Sequence, residues 1–348
     1  MNERTTQTTP PAETVTTVTT ESHAAQATAA RQKFGSWVSV ATKKGLTPLA
    51  VVILMIAVFC AINPDAVTVD TLSTLLDQSG ILLLLALAQG IVVLMGRIDL
   101  ANAAVASFLS VVLVVLMNEA GGIAIPLVLI LGTLIGALQG WVHTFFQIPS
   151  FVVTLATAGI VAGAGLLVSG ASAVSVDQNL ELLDWAYFAP GGIPLAFVVG
   201  AMIAVVLAFL VARTGRGRSL RTVGFNQRAA TYSGIRTTVT VVLGFACAGL
   251  LIGVASLLIV GQLGTASAGI ANSYLLSGIA AVVVGGTAIA GGIGGPGRIV
   301  FGALIIALLR IGLDIVGVAP EYQPIIYGVI VVGAIAMTVD RSRTVPVA

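Results

Sequence analysis

The chain has 348 residues, of which 57% are hydrophobic and 9% charged, with a formal net charge of +2. A soluble domain carries about 25% charged residues, so this composition and a mean hydropathy of +1.06 exclude an ordinary water-soluble domain. Long apolar runs, rather than short alternating segments, exclude a β-barrel and point to helices in a bilayer.

The first stretch, within residues 1–44, is rich in Thr, Ala and Gln, has no hydrophobic periodicity, and is expected to be a disordered tail. Arg31, Lys33, Lys43 and Lys44 hold it on the cytoplasmic side. Apolar runs follow over 46–62, 79–95, 100–117, 123–146, 148–168, 193–212, 237–260, 279–292, 299–318 and 324–339. A helix of about twenty apolar residues crosses roughly 30 Å of hydrocarbon. The pattern therefore predicts an all-α polytopic membrane protein with about ten transmembrane helices over residues 45–340, and a cytoplasmic tail over 341–348. Re-entrant glycine-rich runs would reduce the count to eight or nine.

Between the second and third runs lies Gly96-Arg97-Ile98-Asp99-Leu100, with Asn102 just beyond. Charged groups at such a depth face a cavity or each other, which makes Arg97, Asp99 and Asn102 candidates for a translocation path. The bland alternative is an Arg97 that reaches to the headgroups while Asp99 caps the next helix. Gly132, Gly136 and Gly140 in the fourth run permit close helix contact. His143 is expected at the interface, and a lone histidine supports no metal site. The segment 169–192 carries Asp177, Glu181, Asp184, Trp185 and Tyr187 without a basic residue, as expected of an external loop.

Arg213 to Arg236 contains six arginines and no acid. It is the strongest orientation signal in the chain and sets the cytoplasmic face, with both termini on the same side. Ala229 and Ala230 favour a short helix there, and Gly234 suits its stop. Further on, the run from Ile279 to Gly292 and the glycines at 294, 295 and 297 suggest a helix break lining a path, with Thr287 among them. The Walker pattern is missing, and no Lys occurs in the second half of the chain, so nucleotide binding by that motif is excluded. Arg310 and Asp314 stand four apart in an apolar run and are expected to form an internal ion pair.

Several blocks together carry a resemblance. The series Gly224, Asn226, Ala229, Ala230, Ser233, Gly234 and Ile235, the Gly96–Leu100 turn, the element Pro149-Ser150-Phe151 to Thr154-Leu155, and the block 279–292 resemble the ribose-type permease subunits of bacterial ABC importers, within the branched-chain amino acid/ribose permease superfamily. The chain departs from that pattern at Arg97, Ala101, Asn102 and Ala103, and at Arg310 and Asp314, where such permeases commonly have asparagines. The resemblance implies a cytoplasmic coupling helix between spans six and seven, with Gly224, Asn226, Arg228, Ala229, Ala230, Ser233 and Gly234 docking into a separate ABC ATPase subunit. It also implies an extracytoplasmic solute-binding protein and a second permease copy, identical or related. The subunit itself would be no enzyme and hold no cofactor, ATP and Mg belonging to the partner ATPase, and its place would be the bacterial cell membrane. A monosaccharide is the implied solute; nucleosides, an autoinducer or branched-chain amino acids are alternatives within the family. In a different class stands an ion-coupled secondary transporter using Arg97, Asp99, Arg310 and Asp314 as a relay. Nothing suggests nucleic acid as a partner.

Overall fold

The computed structural model describes residues 47–62 and 68–338. The expected tails over 1–44 and 341–348 lie outside the described residues. The helices are α1 (Thr47–Ile62), α2 (Val69–Leu94), α3 (Asn102–Ala120), α4 (Ala124–Phe145), α5 (Ser150–Ser169), α6 (Leu195–Arg213), α7 (Gly215–Phe225), α8 (Gln227–Tyr232), α9 (Thr237–Leu263), α10 (Tyr274–Val284), α11 (Pro296–Ile315) and α12 (Gln323–Thr338).

Among the described residues, five helical stretches are long and apolar enough to cross a membrane: Asp70–Leu94, Asn102–Phe145, Ser150–Ser169, Leu195–Arg213 and Thr237–Leu263. The second holds two helices, because Gly121 ends α3 at φ 60° and a tight turn over Gly121–Ile123 separates it from α4. The run over 279–292 is not one continuous helix. Its helix, α10, has 11 residues, about 16 Å at 1.5 Å per residue, and glycine turns replace the remainder.

Helix α2 is the hub. Leu83, Leu84, Leu85 and Leu87 are sealed from solvent, and the helix touches α6, α9, α10 and α11. A helix apolar on every side belongs in the middle of a bundle. Helices α4 and α9 pack backbone to backbone. A Cβ on Gly136 would overlap the Phe245 carbonyl, and one on Gly249 would overlap that of Gly132, so small residues set this contact. Outward, Ile160, Leu167, Met202, Val205 and Phe209 are exposed on α5 and α6, apolar surface suited to lipid.

The two ends of the bundle differ. At one end β1 (Val174–Ser175) pairs antiparallel with β2 (Thr265–Ala266). Asn118 at the end of α3 donates to the Ser175 carbonyl at 3.0 Å and accepts from the Asp177 amide at 2.9 Å, and the Tyr187 hydroxyl donates to the Gln262 carbonyl. The acidic segment read as an external loop is thus pinned to α3 and α9. The opposite end carries the arginine segment.

Candidate site at the basic end

The arginine segment folds as two short helices meeting at an angle. Thr214 starts α7, its hydroxyl oxygen accepting from the Gly217 amide at 3.1 Å. Asn226 is extended, at φ −163° and ψ 105°, and its side-chain oxygen accepts from the Ala229 amide at 3.0 Å. That cap lets α8 begin immediately after α7 ends. Gly234 closes the segment at φ 80°, a value that glycine adopts without a steric penalty.

The segment has an inner and an outer side. Val223 and Ala230 are buried, and Gly224 lies against the bundle. A Cβ there would overlap the Leu94 carbonyl and come within 2.6 Å of the Gly292 amide. The Gly292 amide donates to the Leu94 carbonyl at 2.9 Å, so three backbones cross where only glycine fits. Arg221 adds a bond from its guanidinium to the Gly294 carbonyl at 3.2 Å. Asn226, Arg228, Ala229, Ser233 and Gly234 are exposed, beside Phe225 at 63% and Tyr232 at 91% exposure. Two exposed aromatic side chains, of which Phe225 also rests on Gly292, form with Arg228 a surface suited to a protein partner.

The turn between α2 and α3 lies on the same end. Arg97 is buried and does not reach for headgroups. Its Nη2 donates to Gln227 Oε1 at 2.8 Å, its Nε to His143 Nε2 at 2.7 Å, and its Nη1 to the Met95 carbonyl at 2.7 Å. His143 Nδ1 stands 2.6 Å from the Ile148 carbonyl. The imidazole accepts at one nitrogen and faces a carbonyl at the other, which fixes the neutral tautomer with hydrogen on Nδ1. Burial lowers the Arg97 pKa to about 10, leaving it a cation at neutral pH. Asp99 is buried too; its Oδ1 accepts from the Ala101 amide at 2.8 Å. Burial raises its pKa to about 6, against the pull of the Ala101 and Asn102 amides. The rest of the turn is held by α5: Ser150 accepts from the Ile98 amide at 3.3 Å and Thr154 from the Leu100 amide at 3.0 Å. Asn102 turns inward and donates to the Leu85 carbonyl at 3.0 Å.

The six path candidates do not form one constellation. Arg97, Asp99 and Asn102 surround the turn. Thr287 is buried in the glycine turns, its hydroxyl accepting from the Gly295 amide at 3.4 Å. Arg310 and Asp314 lie toward the far end of α11. The expected ion pair between them is not formed: Asp314 Oδ1 accepts from Gln323 at 2.8 Å, and the Arg310 guanidinium lies 6.0 Å from the Tyr274 ring centroid. One helical turn of separation allowed the pair, but α10 and α12 supply each side chain with another partner. Arg310 lines a small pocket with Gln78, Ser277, Gln323 and Tyr327, where the buried Oε1 of Gln78 has no partner.

Sequence reasoning missed His143 and Gln227 as partners of Arg97, and Ser150 and Thr154 as acceptors for the turn. The available signal was the place of Ser150, Thr154 and Gln227 within the quoted motifs; His143 stands outside them. Among the described residues no group of three His, Cys, Asp or Glu side chains could hold a metal.

Comparison with known proteins adds the following. A family model described as branched-chain amino acid transport system / permease component matches residues 71–335. A probable ABC transporter permease protein of Escherichia coli K12 is 33% identical over 289 residues, covering 82% of this chain and 87% of the relative. A ribose import permease protein of Haemophilus influenzae is 30% identical over 296 residues, 81% of this chain and 89% of the relative. A galactose/methyl galactoside import permease protein of the same organism is 28% identical, covering 82% and 91%. No solved structure matches significantly.

Proposed function

Because the chain belongs to the family of permease components of branched-chain amino acid transport systems, we propose that it is the membrane-spanning subunit of an ATP-driven, binding-protein-dependent importer of a monosaccharide. It is a transport subunit and not an enzyme. The sugar assignment is supported by relatives named for ribose and galactose import. The carrying observation is the α7–α8 segment, seated on the bundle through Gly224 and presenting Phe225, Arg228 and Tyr232 outward.

In this reading α8 is the coupling helix and its exposed face docks into an ABC ATPase subunit, which holds ATP and Mg. The arginine segment and both termini face the cytoplasm of a bacterial cell, because basic loops stay inside. The end built by β1, β2 and Asn118 receives a solute-binding protein. A second permease, identical or related, completes the pore. Substrate meets polar groups in the outer half, where Arg310, Gln78 and Tyr274 converge; guanidinium, carboxamide and aromatic face together match a polyhydroxylated solute. Closing of the ATPases moves α8 and switches the pore between outward and inward access.

Affinity purification of the tagged chain from native membranes tests this. An ABC ATPase should co-purify with the unmodified chain and be lost or uncoupled with Arg228→Glu, which reverses the charge on the exposed face. A stable chain with no ATPase in its company, beside a control importer that stays assembled, would overturn the assignment in favour of a self-sufficient transporter.

A further inference from the structure

We propose that Arg97 is a positioning residue that transmits movement of α8 to the rest of the bundle, an inference that rests on the coupling role of that helix. The observation is a buried cation with no acid beside it. Its one neighbouring carboxylate, Asp99, points at the Ala101 amide. A buried charge is costly unless its hydrogen bonds are met, and Arg97 meets them across three parts of the chain: Gln227 on α8, His143 on α4, and the Met95 carbonyl at the end of α2.

Among the described residues, the bond to Gln227 is the only side-chain hydrogen bond that leaves α8 for another part of the bundle. Every other such bond of α8 is local. From Arg97 the connection runs in two directions. One goes through the His143 ring to the Ile148 carbonyl, hence to the start of α5. The other stays in the turn, whose Ile98 and Leu100 amides are held by Ser150 and Thr154. The turn then leads through Asn102 to the Leu85 carbonyl, within buried α2. A planar guanidinium with five donors serves three directions at once; an ammonium has neither that reach nor that geometry. A displacement of Gln227 therefore drags the turn, α4 and α5 together.

The test measures uptake of radiolabelled ribose, allose and galactose by native cells, beside ATP hydrolysis by the purified complex in nanodiscs. Arg97→Gln should lower uptake about tenfold, the size expected for losing a charged hydrogen bond, while hydrolysis continues. A purely structural role would lower both together. Gln227→Ala, at an exposed position outside the core, should reproduce the defect, and the double variant should be no worse than Arg97→Gln alone, because both remove one link. Normal uptake in both single variants, or independent and additive losses, would overturn the role of Arg97. If the unmodified chain took up none of the three sugars and carried no ATPase, the importer reading itself would fall, and the inference with it.

Discussion

The crossing of three backbones at Gly224 supports a quantitative prediction. Replacing it by alanine adds one methyl group where the Leu94 carbonyl and the Gly292 amide already meet the helix. Neither obstacle is a side chain that could rotate away, and the two are joined by a 2.9 Å hydrogen bond. Overpacking costs about 1–3 kcal/mol, and loss of that bond adds about 1 kcal/mol. Alanine returns up to about 1 kcal/mol of helix propensity to α7. The net expectation is a loss of about 1–3 kcal/mol, concentrated where α7 sits on α2. The control is Gly159→Ala in α5, the same change where a Cβ meets nothing within 4 Å. Apparent melting midpoints in one detergent should fall for Gly224→Ala and hold or rise for Gly159→Ala. Sugar uptake should fall with the first and not the second. A Gly224→Ala chain as stable and active as the unmodified one would refute the close approach and the seating of α7 on it.

Asp99 gives a pH dependence. Its folded pKa of about 6 lies above the ordinary aspartate value of 3.8, so between about pH 4 and 6 the folded chain binds more protons than the unfolded one. Stability therefore falls as pH rises through that window, and above it the cost is complete, about 3 kcal/mol. Asp99→Asn keeps an oxygen for the Ala101 amide and removes the titration. Its melting midpoint should exceed that of the unmodified chain clearly at pH 7.5 and by much less near pH 4.5; an equal difference at both values would refute this. At Asp314 the absence of an ion pair predicts that Asp314→Asn is silent, because the amide oxygen still accepts from Gln323. A pair with Arg310, at this exposed position, would instead make it cost up to about 1 kcal/mol in unfolding measurements. Arg310→Met, of similar reach without charge, should lower uptake about tenfold at unchanged ATPase co-purification, if one charged hydrogen bond to solute is lost; unaltered uptake would remove Arg310 from the path.

The sequence by itself determined that this chain is a helical membrane protein, because apolar runs of membrane length leave a backbone in lipid few other ways to satisfy its hydrogen bonds. It also showed the arginine segment, the glycine spacing in the fourth run, and the ordered motifs that mark the permease family. These are local properties: period, length and charge. What only the tertiary structure decided is who meets whom across the chain. Arg97 and Gln227 stand 130 positions apart, and no spacing rule connects them. Gly224 is recognisable as a motif residue, yet its reason for being glycine is the Leu94 carbonyl on another helix. Arg310 and Asp314 fit an ion pair by their four-residue spacing; Tyr274 and Gln323, brought in from α10 and α12, redirected both. Helix α10 stops short because glycine turns follow it and pack against α2 and α11, a matter of close approach that composition does not reveal. Periodicity specifies which faces are apolar, whereas polar partners in a low-dielectric interior are settled by the packing that brings donors to acceptors.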